Sequence, residues 1–188
     1  MFFVTTSDPD LNVARIANRV ARGGHSVEPE ATRRRYRAAM DLLACAVEHA
    51  DIAVVVDNSG REPSTVAIKN RGNLQEPGTD QAQWAVEKLI QPCQERLASL
   101  QKIESALSAQ GVLREASKPD VADADASNGR QYIGAILELT RYHALQQTGE
   151  NTYIVHDRSL IATTVLRKGE RTTIAYVYDK GKILALHR

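Results

Sequence analysis

The sequence predicts an α/β protein in two parts, a strand-and-helix lobe followed by a small antiparallel domain of β-barrel type. Three observations carry this expectation. Residues 2–57 pass from a β-branched run through two stretches of helical period to an aliphatic run. The last sixty or so residues break into five short β-rich runs divided by turn residues. Between these parts, residues 111–128 become small and acidic and lose nearly all aromatic character, as linkers do. The expected boundaries are therefore 1–110 for the lobe, 111–128 for the linker and 129–188 for the β domain. A chain of 188 residues, 43% of them hydrophobic, is large enough for one moderate core or a core with a satellite.

The elements follow from local chemistry. FFVTT at residues 2–6 reads as a strand, and the SDPD after it offers Asp8 or Asp10 as a helix cap. From Leu11 the positions Val13, Ile16, Ala17 and Val20 share one helical stripe, which ends at Gly23-Gly24. A second helix begins at Pro29, a residue suited to the first turn, with Glu28 and Glu30 beside the positive end of the dipole. It runs to about Ala50, and DIAVVVDNSG then reads as a buried strand opening into a loop. STVAIKNRG supplies another strand. Residues 79–110 read as helix, carrying Trp84, Leu89, Leu97, Leu100, Ile103 and Leu107, with Pro92 expected to kink or split it. In the last part, RQYIGAILELT, YHALQQTG, NTYIVHD, RTTIAYVYDKG and KILALH read as strands. ILELTRYHAL also admits a helical reading, and its Tyr, Ile and Thr content favours strand.

Charge and cysteine content narrow the function classes. Lys and Arg number 24 against 23 Asp and Glu, a net charge of +1, so no global field draws in nucleic acid or membrane. An anion site must be local. Cys45 and Cys93 are far apart, lie in apolar surroundings and form no C-x-x-C pair, which predicts buried thiols and no metal site. No stretch approaches a membrane span and no secretory leader is evident, so a cytoplasmic location is expected. The local basic feature is GGHSVEPEATRRRYRAAM, residues 23–40, with four arginines in five positions. Guanidinium forks match phosphate oxygens, so Arg15, Arg19, Arg33 and Arg35 are candidate phosphate clamps. A solvated helix face paired with Glu28, Glu30 and Asp41 accounts for the same spacing, and His25 reads equally as a turn residue. No catalytic residue is assigned.

Residues 3–70 resemble the C-terminal half of the zeta-toxin-like P-loop kinases. The resemblance lies in T-S-D-P, then N-x-x-R-x-x-x-R-V from Asn12, G-G-H-x-V from Gly23, R-R-R-Y from Arg33 and the closing D-N-S from Asp57. It implies a partial P-loop-kinase-like lobe whose complete domain uses ATP and Mg to phosphorylate nucleotide-activated amino sugars, in a toxin–antitoxin setting. Carried across, it makes Arg15, Arg19, Arg33, Arg34 and Arg35 a phosphate-binding lid. His25, Asp57, Asn58 and Ser59 would shape the site. The chain departs from the family in having no G-x-x-x-x-G-K-[ST] loop, the cradle of the β- and γ-phosphates. The expectation is a truncated or split kinase-like protein, inactive alone. Its partners would be an N-terminal P-loop half, an antitoxin or a second copy, with exposed apolar surface around Phe2, Phe3, Val54 and Val56.

Residues 129–186 resemble the KfrB-type domain of plasmid-borne proteins, through Y-I-G-A-I from Tyr132, L-Q-Q-T-G from Leu145, V-H-D-R-S-L from Val155 and K-G-E-R-T-T-I-A-Y from Lys168. The resemblance implies a plasmid or mobile-element context. His156, Arg158 and Lys168 are candidates for nucleic-acid contact. Tyr176 and Tyr178 share a face that serves either as core or as a stacking surface. The alternative function is thus a non-enzymatic interaction or nucleic-acid-binding module.

Overall fold

A computed structural model describes residues 1–77, 82–109, 120–127, 129–161, 165–177 and 180–187. The chain divides into two compact units, Met1–Glu95 and Arg96–Arg188.

In the first unit, β1 (Phe2–Thr5) leads to α1 (Pro9–Ala21), α2 (Pro29–His49), β2 (Ile52–Asp57), β3 (Ser64–Asn70) and β4 (Asn73–Gln75). The sheet order is β1-β2-β3-β4. β1 runs parallel to β2 in the register Phe2 to Val54 and Thr5 to Asp57, whereas β3 pairs antiparallel with β2 and β4 antiparallel with β3. Asp8 caps α1 by accepting the Asp10 N–H at 2.8 Å, and Glu28 caps α2 by accepting the Glu30 and Ala31 N–H groups at 2.9 and 2.6 Å. Met40, Leu43, Ala44 and Val47 fall at helical spacing on α2 and are buried. Met40, Leu43 and Val47 pack with Ala53, Val55 and Ala67 of the sheet and with Trp84 and Leu89. α1 buries no residue fully, so its apolar stripe is only half-covered.

The opposite sheet face and the β1 edge are more open. Phe2, Val4 and Ile52 are exposed, whereas Phe3 packs on the core and Val56 is buried. The exposed apolar patch expected at Phe2, Phe3, Val54 and Val56 is thus shifted, because alternation along β1 turns Phe3 inward. The predicted helix over 79–110 comprises α3 (Gln83–Ala85), a π-helical turn (Val86–Ile90) and α4 (Gln91–Ala109). The π turn ends two residues before Pro92, which has no N–H to donate into an α-helical ladder. Residues 79–81 and 110 lie outside the described residues.

The second unit takes α4 from Arg96 onward and builds β5 (Asp120–Asp123), β6 (Gln131–Leu139), β7 (His143–Gln147), β8 (Thr152–Asp157), β9 (Arg171–Val177) and β10 (Lys180–His187). The five runs read from sequence all form strands, and Thr140–Tyr142 is the turn that splits ILELTRYHAL. The expected barrel is not closed. The order is β10-β9-β6-β7-β8-β5, an open sheet with β10 and β5 at its edges. Towards closure the described residues offer only an isolated bridge between Ile161 and Gly181. β5 falls in the stretch expected as linker and pairs parallel with β8, although all four of its residues are exposed. Of the rest of that stretch, residues 111–119 and 128 lie outside the described residues.

Alternation along the strands buries both sheet faces. Leu145, Tyr153 and Val155 pack on Ile103 and Leu107 of α4. The other face gathers Ile136, Ala144, Ile174, Tyr176 and Leu166. Tyr176 is therefore core and not a stacking surface, and Tyr178 lies outside the described residues.

Candidate functional site

In the first unit the chain leaves the carboxyl ends of parallel β1 and β2 side by side, the position where open α/β sheets bind ligands. Hydrogen bonds tie the two exits together. The Asn58 N–H donates to the Thr5 carbonyl at 2.8 Å, and the Ser7 N–H donates to Ser59 Oγ at 2.6 Å. Arg15 from α1 reaches across and donates to the Asn58 carbonyl at 2.6 Å. Asn12 donates to Thr6 Oγ at 3.0 Å, and Tyr36 of α2 donates its hydroxyl proton to the Thr6 carbonyl at 2.8 Å. Burial raises the Tyr36 pKa, with Asp8 and Asp57 adding to it, so the phenol remains a donor.

Of these residues Thr5, Thr6, Asn12, Arg15, Tyr36 and Asn58 wall a cleft of ≈ 320 Å³, which Thr32 and Arg35 of α2 also line. Among the described residues no carboxylate pairs with Arg35. A second cleft, of ≈ 540 Å³, runs along α1 and is lined by Arg15, Asn18, Arg19, Arg22, Gly23 and Gly24. Arg15 borders both. The glycine pair serves two purposes. Gly23 takes φ +88°, and a Cβ on Gly24 would stand 2.7 Å from Arg19 Cγ, so the turn closes directly on that arginine.

The structure thus sorts the sequence candidates. Arg15 and Arg35 share the cleft. Arg19 donates to the His25 carbonyl at 3.1 Å, and the His25 ring is exposed beyond it. Arg33 does not join them: it donates to Asp10 at 2.7 Å and Glu30 at 2.5 Å, linking the first turns of α1 and α2. Arg34 is exposed beside Glu28 and outside the cleft lining. Asn58 lines the cleft. Asp57 instead lies below it, buried, accepting from the Ser59 N–H and Trp84 Nε1 at 2.7 Å each and from the Ser59 hydroxyl. Burial pushes its pKa up, but those hydrogen bonds outweigh it and hold the carboxyl below the usual range. Asp57 and Ser59 shape the exit of β2. Sequence reading missed Thr6, Thr32 and the Asp57–Trp84 bond, which couples positions 27 residues apart without any local signal.

In the second unit, the nucleic-acid candidates separate likewise. His156 is fully buried, so it is unable to touch a nucleic acid. Its Nδ1 lies 2.8 Å from the Tyr176 hydroxyl and its Nε2 3.0 Å from Gln146 Oε1. Burial lowers its pKa to about 4. Lys168 is ion-paired with Glu138 at 2.6 Å, and Arg158 is exposed. Cys45 and Cys93 are half-buried and unbridged rather than fully enclosed.

In comparison with known proteins, residues 131–185 match the KfrB Domain family. The match covers β6 to β9 and most of β10, and it leaves α4 outside. No curated protein matches the chain. The comparisons give no support to the zeta-toxin-like resemblance of residues 3–70. Among the described residues no helix is long and apolar enough to cross a membrane.

Proposed function

We propose that the first unit binds the phosphates of a nucleotide-type ligand, as the arginine-bearing half of a zeta-toxin-like phosphotransferase acting in the cytoplasm. The observation that carries this reading is the convergence of Arg15 and Arg35, from two different helices, on a cleft at the carboxyl ends of parallel strands. The 188 residues contain no G-x-x-x-x-G-K-[ST] loop, so in this reading ATP and Mg are engaged only once another polypeptide segment supplies it. The partners that fit are a P-loop half, an antitoxin or a second copy, received along the open β1 edge beside exposed Phe2, Val4 and Ile52. The KfrB match supports a plasmid or mobile-element setting. The second reading is a non-enzymatic interaction or nucleic-acid-binding module of such an element.

The test is a titration of the full chain with ATP and with inorganic pyrophosphate, followed at the arginine side-chain resonances. Two charge-assisted contacts leave roughly millimolar affinity after ordering costs, weakened further by salt. Arg15→Ala and Arg35→Ala should each abolish saturation, while Arg167→Ala in the second unit should leave it intact. Equal responses in all the proteins would show a solvated helix face and remove the phosphate reading.

A further inference from the structure

Among the described residues the two sheets leave four edges, β1 and β4 in the first unit and β5 and β10 in the second. A free edge invites pairing with another chain, and proteins deter this with charge, bulges or very short strands. Three of the four edges carry such a deterrent. β5 begins and ends in aspartate, β10 carries Lys180, Lys182 and a register shift between Ile183 and Ala185, and β4 is three residues long. β1, Phe-Phe-Val-Thr, has none of them. Its backbone is laid out to pair. The Met1 and Thr5 carbonyls accept the Val54 and Asn58 N–H groups at 3.0 and 2.8 Å, so the odd-numbered residues bond towards β2. In a parallel ladder the intervening residues turn both backbone groups the other way, which leaves those of Phe2 and Val4 on the open side.

Charge and register decide the occupant. Phe2 and Val4 stand on the sheet face opposite the one α2 covers, 70% and 49% exposed. Beside them on that face lie Ile52, Val54 and Val56 of β2 and Ile68 of β3, and none of the six is charged. A two-fold interface sets one patch against itself, so any charge on it would meet its own sign. An uncharged edge and face escape that penalty. The register is also self-complementary. With two β1 strands antiparallel about an axis at Phe3, Phe2 of each copy faces Val4 of the other, and all four outward N–H groups meet a carbonyl. Each such pair sets an aromatic ring beside a β-branched side chain, a favourable cross-strand combination. We infer that β1 pairs antiparallel with β1 of a second copy of this chain, joining two four-stranded sheets into one of eight strands. This pairing rests on the open β1 edge of the reading above and requires no phosphate in the cleft. Four residues of strand bury far less than the ~1,200 Å² of a stable interface, so the dimer is weak and forms reversibly with concentration.

The experiment follows the mass of the full chain by sedimentation equilibrium over a wide concentration series, and a monomer–dimer equilibrium is expected. Val4→Lys puts a charge on the exposed face, and Val4→Pro removes an N–H that only the second copy uses. Each should raise the dissociation constant at least about tenfold. Both changes fall on groups that face solvent in the single chain, so the fold is retained, checked by the amide fingerprint spectrum. Val121→Lys, on the β5 edge, should leave the equilibrium unchanged. In a sample mixed from isotope-labelled and unlabelled chains, the Phe2 ring should show an intermolecular contact with the Val4 methyl groups, a readout that needs no variant. A chain that stays monomeric throughout the series overturns the inference. So does a dimer that Val4→Pro leaves intact, since side chains alone would then hold it, and so does a dimer in which Phe2 meets Phe2. Arg35→Ala, which tests the phosphate cleft, should leave the dimer unchanged, so the two readings fail separately.

Discussion

Arg96 and Asp157 form an ion pair whose side chains are 3% and 4% exposed, at the place where α4 enters the second unit. Asp157 also accepts the Ser159 N–H at 2.8 Å and its hydroxyl at 2.6 Å, so its charge is well solvated by the protein. Removing one partner strands the other, at about 3–5 kcal/mol. Arg96→Met should therefore lower the urea midpoint of this unit sharply, while Arg130→Met, in an exposed pair, should leave it nearly unchanged. His156 gives a pH signature. Its folded pKa is lowered to about 4 from an unfolded value of 6.5, because burial among Gln146, Tyr132 and Tyr176 disfavours the imidazolium. The unfolded chain then binds the extra proton first. The contribution is complete above pH 6.5 and is lost as pH falls towards 4, about 3 kcal/mol in all. Carboxylates held low, such as Glu138, act in the same direction only at lower pH. His49, raised to about 9 by the Cys45 thiol and carbonyl, acts at higher pH and in the opposite sense. Chemical denaturation between pH 7 and 5 should show the slope, and His156→Gln should flatten it.

At the scale of elements, β6 and β7 approach so closely at Gly134 that a Cβ there would stand 1.8 Å from the Gln147 carbonyl oxygen and 2.6 Å from its carbon. Both obstacles are backbone, which is unable to move without breaking the ladder. Gly134→Ala should unfold the sheet or force the strands apart, visible as loss of amide protection along β6 and β7. This glycine stands in the Y-I-G-A-I run, so its position was legible even though its reason was not. The long periodic elements were legible too, because α2, β2 and the five later strands bury whole faces. The short polar strands were not. β4 is Asn-Leu-Gln and β5 is Asp-Val-Ala-Asp, and each is held by pairing with a neighbour rather than by its own pattern. Among the arginines, spacing grouped Arg15, Arg33 and Arg35 alike and did not distinguish Arg33, whose partners Asp10 and Glu30 are set by how α1 meets α2.

At the scale of the whole molecule, the KfrB-matching residues contain the core of one sheet face, whereas the core of the other face is completed by α4 from outside the match. Ile103 and Leu107 come from α4 and contribute about 1.5–3 kcal/mol each, beside the Arg96 ion pair. Against a domain stability of about 5–15 kcal/mol, a fragment starting at residue 96 should melt cooperatively, and one starting at residue 129 should not, as read by calorimetry. Whether the sheet closes had no local signal, since closure depends on the register of its two edges rather than on any one strand. In the first unit, strand direction sets a rule of its own. β1 is the edge, and it runs with β2 and β4 and against β3. A strand that joins β1 in parallel therefore ends at the same rim as Thr5 and Asp57, and the loop leaving it emerges over Arg15 and Arg35. One that joins antiparallel delivers its beginning there instead. The orientation of an incoming strand, with no change in its composition, decides which of its ends faces the arginines.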